Sequence, residues 1–212
     1  MRQVVSGVLA AALLACGAQA DIVTVTAEGT VVFNGVTSGA LAAVRAGHTA
    51  AMSFQVDSSV FLDGIPGDTR GYEIIQPSFA LAFSTPVSVG LLDPFPAGEK
   101  AYFTLVDGFP VSDGFFVSTS PSSPGGVPLA QTPLQANLDI GYVGTTLSSL
   151  DILDAYGTYD FTGLTRFGFT LWQVFPDNVR MDIEFSRMTI TPAPGAMALL
   201  GVAGLMAQRR RR

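Results

Sequence analysis

Cysteine and histidine are nearly missing from this chain, which carries one of each among its 212 residues, Cys16 and His48. A chain that begins after Ala20 has no cysteine, which excludes disulfide bonds, a thiol nucleophile and a thiolate metal site. A Ser-His-Asp triad would have to use His48, yet the sequence has no Gly-x-Ser-x-Gly elbow, and His48 follows Gly47 in an expected turn. We therefore expect a non-enzymatic protein with no cofactor and no bound metal ion.

Long apolar runs are also missing, because none approaches the roughly 20 residues that a membrane-spanning helix needs. Near the N-terminus, Arg2 precedes a short apolar stretch, which ends in the small-x-small pattern of Ala18 and Ala20. Charge, length and cleavage pattern together are typical of a secretory signal peptide. We expect residues 1–20 to be removed by signal peptidase, so that the exported chain begins at Asp21.

A second interpretation of the N-terminus stays open. Residues 13–16 read Leu-Leu-Ala-Cys and resemble a bacterial lipobox, whose cysteine becomes lipidated after cleavage in front of it. Leu14 stands where the lipobox usually has a small residue, so we favour cleavage after Ala20 over lipidation of Cys16.

The C-terminal segment, residues 192–212, combines a proline motif, an apolar run and a basic end. It reads Pro192, Ala193, Pro194 and Gly195, then the apolar run 196–207, then Gln208, Arg209, Arg210, Arg211 and Arg212. The 12-residue run is short for a bilayer span, but arginines extend a span by snorkelling and favour the cytoplasmic side. We expect this run to form a short hydrophobic transmembrane helix that holds the exported chain transiently in the inner membrane with its arginines inside.

This order of features resembles the PEP-CTERM sorting signals of Gram-negative bacteria, in the Pro-Ala-Pro variant found in planctomycete-type members. The departure from the usual motif is Ala193, which stands where most members have glutamate. The resemblance covers only residues 192–212. It implies recognition by an exosortase-like enzyme, cleavage near the proline motif, and delivery to the cell surface or the extracellular matrix.

The charges are unevenly distributed along the chain. Residues 21–191 hold six of the 11 Lys and Arg residues and all 17 Asp and Glu residues, which gives this part a net charge of −11. Such a surface repels nucleic acid and attracts cations weakly, so we expect no nucleic-acid partner. The length suits one domain with a sizeable core.

Residues 21–191 predict an all-β fold, an antiparallel and jelly-roll-like β-sandwich. Apolar residues alternate with others at period two, which is typical of strands with one buried face. The alternating sets are 52/54/56, 79/81/83, 87/89/91, 138/140/142, 167/169/171 and 181/183/185, followed by 188/190. A short helix is expected from Ser148 to a stop at Gly157, and a long surface loop over 118–133.

Three candidate sites in the body are weaker. The strand with Arg180, Asp182 and Glu184 resembles the Glu-x-Asp-x-Glu strand of laminarinase-like glycoside hydrolases, but Arg180 replaces the nucleophile. Acidic turns could hold calcium, although no Asp-x-Asp-x-Asp-Gly loop is present. Their aspartates are Asp57, Asp63, Asp68, Asp151 and Asp154. Trp172 lies out of phase with its strand and could stack on sugar rings if it is exposed. Val174 shares the face of Trp172, which favours a strand buried on both faces and core packing of the tryptophan.

We therefore expect an exported surface or matrix protein whose partners are signal peptidase, an exosortase-like enzyme, the inner membrane and an exopolysaccharide. A carbohydrate-binding sandwich and a diverged glycoside hydrolase are the alternatives.

Overall fold

The computed structural model describes residues 21–108, 112–131, 134–143, 145–161, 166–173 and 179–193. The expected signal peptide with its cleavage residues Ala18 and Ala20 lies outside the described residues. The same holds for the chain from Pro194 to Arg212.

Antiparallel strands make up nearly all the regular structure of the described residues, and the prediction of an all-β fold is confirmed. The strands are β1 (Ile22–Asn34), β2 (Thr49–Asp63), β3 (Thr69–Ile74), β4 (Ala80–Phe83), β5 (Ser88–Val89), β6 (Tyr102–Val106), β7 (Ser112–Ser118), β8 (Val127–Pro128), β9 (Leu134–Val143), β10 (Gly157–Asp160), β11 (Arg166–Gln173) and β12 (Arg180–Pro192). Two single-turn 3-10 helices cover Ala40–Ala43 and Gln76–Ser78.

The hydrogen-bonded path through these strands closes on itself. Strand β1 pairs with β12 on one side and with β2 on the other. From β12 the neighbours are β11, β9, β7, β6 and β3 in turn, and β3 pairs back to β2. Strands β4 and β5 extend from β2, while β10 and β8 add to β12 and β9. The sheet therefore wraps around a single core.

Two long strands change partners along their length. In β2, residues 50–53 pair with β4 and residues 56–63 pair with β3. Val56 lies opposite Ile74 and Phe61 lies opposite Tyr72, so extra residues of β2 bulge between these two pairs. In β12, the first half pairs with β11 and the second half with β10. Bulges bend a strand and increase its twist, and we call these two positions the corners of β2 and β12.

A second bulge lies between β1 and β12 at Gly29. Glu28 is opposite Arg187 and Gly29 is opposite Phe185, so Ser186 is the extra residue. A Cβ atom at Gly29 would lie only 2.1 Å from the Glu184 carbonyl oxygen. Only glycine allows the two backbones to approach this closely.

The core contains most of the alternating residues that the sequence predicts, and Val87 and Tyr142 are partly buried against it. The side chains of Phe167, Phe169 and Leu171 lie outside the described residues. The side chains of Met52, Phe54 and Val56 are buried in β2, and those of Met181, Ile183 and Phe185 are buried in β12. The Phe103 ring lies 5.3 Å from that of Phe54 and stacks at 5.7 Å on Phe115, measured between centroids. Among the described residues, the buried apolar side chains run from Val23 to Ala193, so a chain beginning at Asp21 retains this part of the core.

The predicted helix at 148–157 is wrong, because the chain forms a turn there instead. The backbone makes i to i+3 bonds, from Asp154 N–H to the Asp151 oxygen and from Ala155 N–H to the Ile152 oxygen. The Asp151 carboxylate accepts the Leu153 N–H, which replaces a helical bond by a local one. The expected loop over 118–133 is interrupted by β8, whose Val127 is fully buried.

Candidate functional site

The two ends of the described domain lie side by side. Val23 is opposite Pro192, and the Ala193 N–H donates to the Ile22 carbonyl oxygen at 2.8 Å. The Asp21 nitrogen donates to the Ser58 Oγ at 3.1 Å, and the Ser58 N–H donates to the Asp21 oxygen at 3.0 Å. We name this region, residues 21–22, 58 and 192–193, the terminal edge. Any segments before Asp21 and after Ala193 leave the domain at this edge.

The first half of the proline motif is part of the fold. Pro192 is the last residue of β12, and Ala193 is 7% exposed. Proline is tolerated here because it stands at the end of a strand, beyond the last pairing of β12 with β10. Pro194 and Gly195, together with Arg209, Arg210, Arg211 and Arg212, lie outside the described residues. Regular structure therefore extends slightly past the expected domain boundary at residue 191.

Tyr72 fixes a loop next to the terminal edge. Its hydroxyl donates to the Leu150 carbonyl oxygen at 2.7 Å and accepts the Ile152 N–H at 3.0 Å. Burial raises the pKa of Tyr72, because the phenolate would lose water on one side. The loop ends at Gly157, which lies opposite Ile190, two residues before Pro192. Burial raises the pKa of Tyr156 in this loop, and the negative charges of Asp21 and Asp151 add to the effect.

The carboxylate of Asp113 has a structural role that the sequence does not predict. It is 1% exposed at the start of β7. Its carboxylate accepts the N–H groups of Gly108 at 3.0 Å and Leu147 at 2.6 Å, and also that of Thr146. A buried charge with this many donors is a fixed part of the fold. Its negative charge contributes to raising the pKa of Asp107, after the larger effect of burial.

The strand that resembles a glycoside hydrolase has no converging carboxylates. Met181 and Ile183 point into the core, and Glu184 is exposed, as the alternation predicts. Asp182 is partly exposed and forms an ion pair with Arg180 at 3.2 Å. Arg180 therefore stands where the glycoside hydrolases have the nucleophile, and it pairs with the carboxylate of Asp182.

The acidic turns do not gather into a cation site. The Asp57 carboxylate accepts the N–H and hydroxyl of Ser59, and Asp63 pairs with Arg70 at 2.6 Å. Asp154 accepts the Ser149 hydroxyl. Among the described residues, no three Asp, Glu, His or Cys side chains are grouped so that they could hold a metal ion.

His48 lies in the turn between β1 and β2, where the sequence places it. Its Nδ1 accepts the Arg45 N–H at 3.1 Å, and its carbonyl oxygen accepts the Val31 N–H. These bonds give it a local role in the turn. Trp172 is in β11 with its backbone opposite Arg180 and Gln135, and its side chain lies outside the described part.

A shallow depression over β1, β2 and β4 offers little chemistry. Its volume is about 550 Å³, and its lining includes Thr30, Thr49 and Ser84. Its one titratable side chain is Glu28, which forms an ion pair with Arg187 at 2.5 Å.

An exposed apolar stretch is the feature that the sequence analysis missed. Val60, Phe61 and Leu62 are 43%, 46% and 51% exposed. The Arg70 guanidinium lies 4.1 Å from the Phe61 ring centroid and pairs with Asp63 on the same hairpin. We call residues 60–62 the apolar tip. Three consecutive apolar residues, which break the period of two, are the signal that could have found it.

Within the described ranges, no helix is long and apolar enough to cross a bilayer. No protein-family model matches the chain, and neither a curated protein nor a solved structure matches it. Function is therefore inferred from the residues and their geometry.

Proposed function

We propose that this protein is an exported, non-enzymatic component of the cell surface or extracellular matrix. Residues 1–20 direct export, and residues 192–212 are a PEP-CTERM-like sorting signal that an exosortase-like enzyme processes. The observation that carries the proposal is the order of proline motif, apolar run and four arginines at the C-terminus. An apolar run that ends in arginines orients across a membrane with its basic end inside.

The domain itself acts as a compact, acidic β-sandwich. The closed path of strands and the corners in β2 and β12 support a two-layered arrangement of this kind. The ion-paired state of Asp63, Asp182 and Glu28 supports a role other than hydrolysis. An exopolysaccharide of the matrix is the proposed partner of the delivered domain.

The terminal edge constrains where processing occurs. Ala193 is buried and its N–H is hydrogen-bonded to β1, so a protease cannot reach the peptide bond between Pro192 and Ala193 without fraying the end of β12. We therefore place the cut on the C-terminal side of Ala193, between the folded edge and the apolar run.

Truncation after Ala193 tests the role of the tail. The shortened chain keeps every buried apolar residue that the structure describes, so it should fold and be exported, but it should appear in the medium and leave the membrane fraction. The full chain should be found in membranes and at the cell surface. The measurement is fractionation of native host cells followed by immunoblotting. Equal distribution of the two chains would contradict the proposed sorting signal.

A second variant separates anchoring from sorting. Replacement of Arg209, Arg210, Arg211 and Arg212 by serine keeps the apolar run but removes its positive end. We expect this variant to lose its membrane orientation and to escape processing. A variant that is still processed and delivered as the full chain is would show that the arginines are not part of the signal.

A further inference from the structure

The apolar tip is exposed in a way that differs from an ordinary surface strand. In a half-buried strand, side chains alternate between core and solvent, as they do in the first half of β2. Beyond Asp57, β2 turns its corner, and the three residues of the tip are all more than two-fifths exposed. Both faces of the strand are therefore apolar and accessible at this position.

The tip lies next to the terminal edge. Ser58 hydrogen-bonds to Asp21 in both directions, and Phe61 is three residues further along β2. An extended chain advances at most about 3.3–3.6 Å per residue, so Phe61 lies within roughly 10 Å of Ser58. The centroid of the Phe61 ring lies 5.8 Å from that of Tyr72. Tyr72 holds the loop that leads into β10 at Gly157, opposite Ile190 near the end of β12.

The apolar run of the tail begins equally close to this edge. Residue 196 follows Ala193 by three positions, which is at most about 10 Å of extended chain. If the run enters a bilayer, the terminal edge is held near the headgroups, and the apolar tip is brought to the same surface. The apolar run does not suit packing against the tip instead of a bilayer. The run is apolar on all sides, and the tip would cover only one side.

We propose that the apolar tip, residues 60–62, is a membrane-contact site that inserts into the headgroup and upper acyl region of the bilayer that holds the tail. This inference rests on the proposed function. The side chains of Val60, Phe61 and Leu62 leave water there, and Arg70 stays at headgroup level over the Phe61 ring. The contact fixes the orientation of the domain until the tail is cut.

Charge determines which lipids suit this contact. Asp57 and Asp63 flank the tip and Asp21 is nearby, while Arg70 is the one cation that the structure places on the tip. Anionic headgroups would be repelled by this balance. The bilayer that tests the proposal is therefore one of phosphatidylcholine, in which apolar insertion acts without opposing charge.

Single-cysteine labelling tests the contact, because a chain of residues 21–212 contains no cysteine. Phe61→Cys carries an environment-sensitive fluorophore at the tip, and Leu62→Cys repeats the measurement at a second tip position. Phe33→Cys is the matched control. Phe33 is 45% exposed beneath Arg180, as Phe61 is 46% exposed beneath Arg70, but it stands at the opposite end of β1 from the terminal edge.

With phosphatidylcholine vesicles, the two tip probes should shift to shorter wavelength and lose emission when the lipids carry shallow nitroxide groups. The probe at residue 33 should do neither. Insertion of roughly 5–10 Å predicts stronger quenching by shallow than by deep nitroxides. Unchanged thermal unfolding of the labelled chains checks that the fold is kept.

Flotation of the vesicles separates the two possible failures. If the chain 21–212 floats with the vesicles, the chain 21–193 does not, and the tip probes are unquenched, the membrane-contact site is wrong while tail anchoring stands. Equal quenching at residues 33 and 61 also overturns the proposed orientation. If the chain 21–212 does not float, both the anchor and the contact site are overturned.

Discussion

Replacing Asp113 by alanine should destabilise the domain by about 2–4 kcal/mol, since a buried N–H left without an acceptor costs about 1–3 kcal/mol and two part-buried hydrogen bonds are lost as well. The carboxylate accepts three backbone N–H groups, one from the chain before β7 and two from the loop that starts near residue 145. The variant would leave the N–H of the buried Leu147 unpaired, whereas Gly108 and Thr146 are exposed residues whose N–H groups can reach water. Urea unfolding at neutral pH, followed by circular dichroism, measures the loss.

Asp57→Ala is the matched control for this prediction. Asp57 also accepts two local donors, from Ser59, but it lies at the surface, where water replaces the lost acceptor. We expect its effect to stay within about 0.5–1 kcal/mol. A loss at Asp113 no larger than the loss at Asp57 would contradict the structural role given to the buried carboxylate.

Phe103→Ala should cost about 3–5 kcal/mol in the free energy of unfolding, because it removes a large side chain from the centre of the core. Phe103 is fully buried in β6 and contacts the rings of Phe54 and Phe115. The loss has three parts: the burial free energy of the removed ring, the cost of the cavity left behind, and two lost contacts with aromatic rings.

The control for the core prediction is Phe33→Ala. The Phe33 ring is 45% exposed, so its removal should cost less than about 1 kcal/mol. Both variants can be compared by thermal and urea unfolding of the chain 21–193. If the two losses are equal, the aromatic cluster around Phe103 is not the centre of the core.

Local patterns in the sequence predict the strands well but not their arrangement. The alternation at 181/183/185 identifies the buried face of β12, and the turn around His48 is placed correctly. The closed path depends on pairings between distant segments, such as β1 with β12, which no local pattern encodes. The predicted helix at 148–157 failed because Ser149, Asp151 and Tyr72 supply competing hydrogen bonds to its backbone.

The features of the candidate site also fall into those that the sequence predicts and those that only the fold reveals. The proposed sorting signal rests on composition and residue order alone, so it is a prediction of the sequence and not of the fold. The meeting of Asp21 with Ser58 and of Ala193 with Ile22 requires the folded sheet. The roles of Asp113 and of the apolar tip also depend on burial and on neighbouring residues. The sequence shows only one aspartate and three consecutive apolar residues, and neither reveals these surroundings.

The most direct test of the proposed function is the intact mass of the protein recovered from the surface and medium of its native host. Our account predicts a species that begins at Asp21, retains Ala193 and lacks Arg209, Arg210, Arg211 and Arg212. A recovered protein that still ends at Arg212 would contradict C-terminal sorting and leave an anchored protein. A lipidated Cys16 as the first residue would instead contradict cleavage after Ala20.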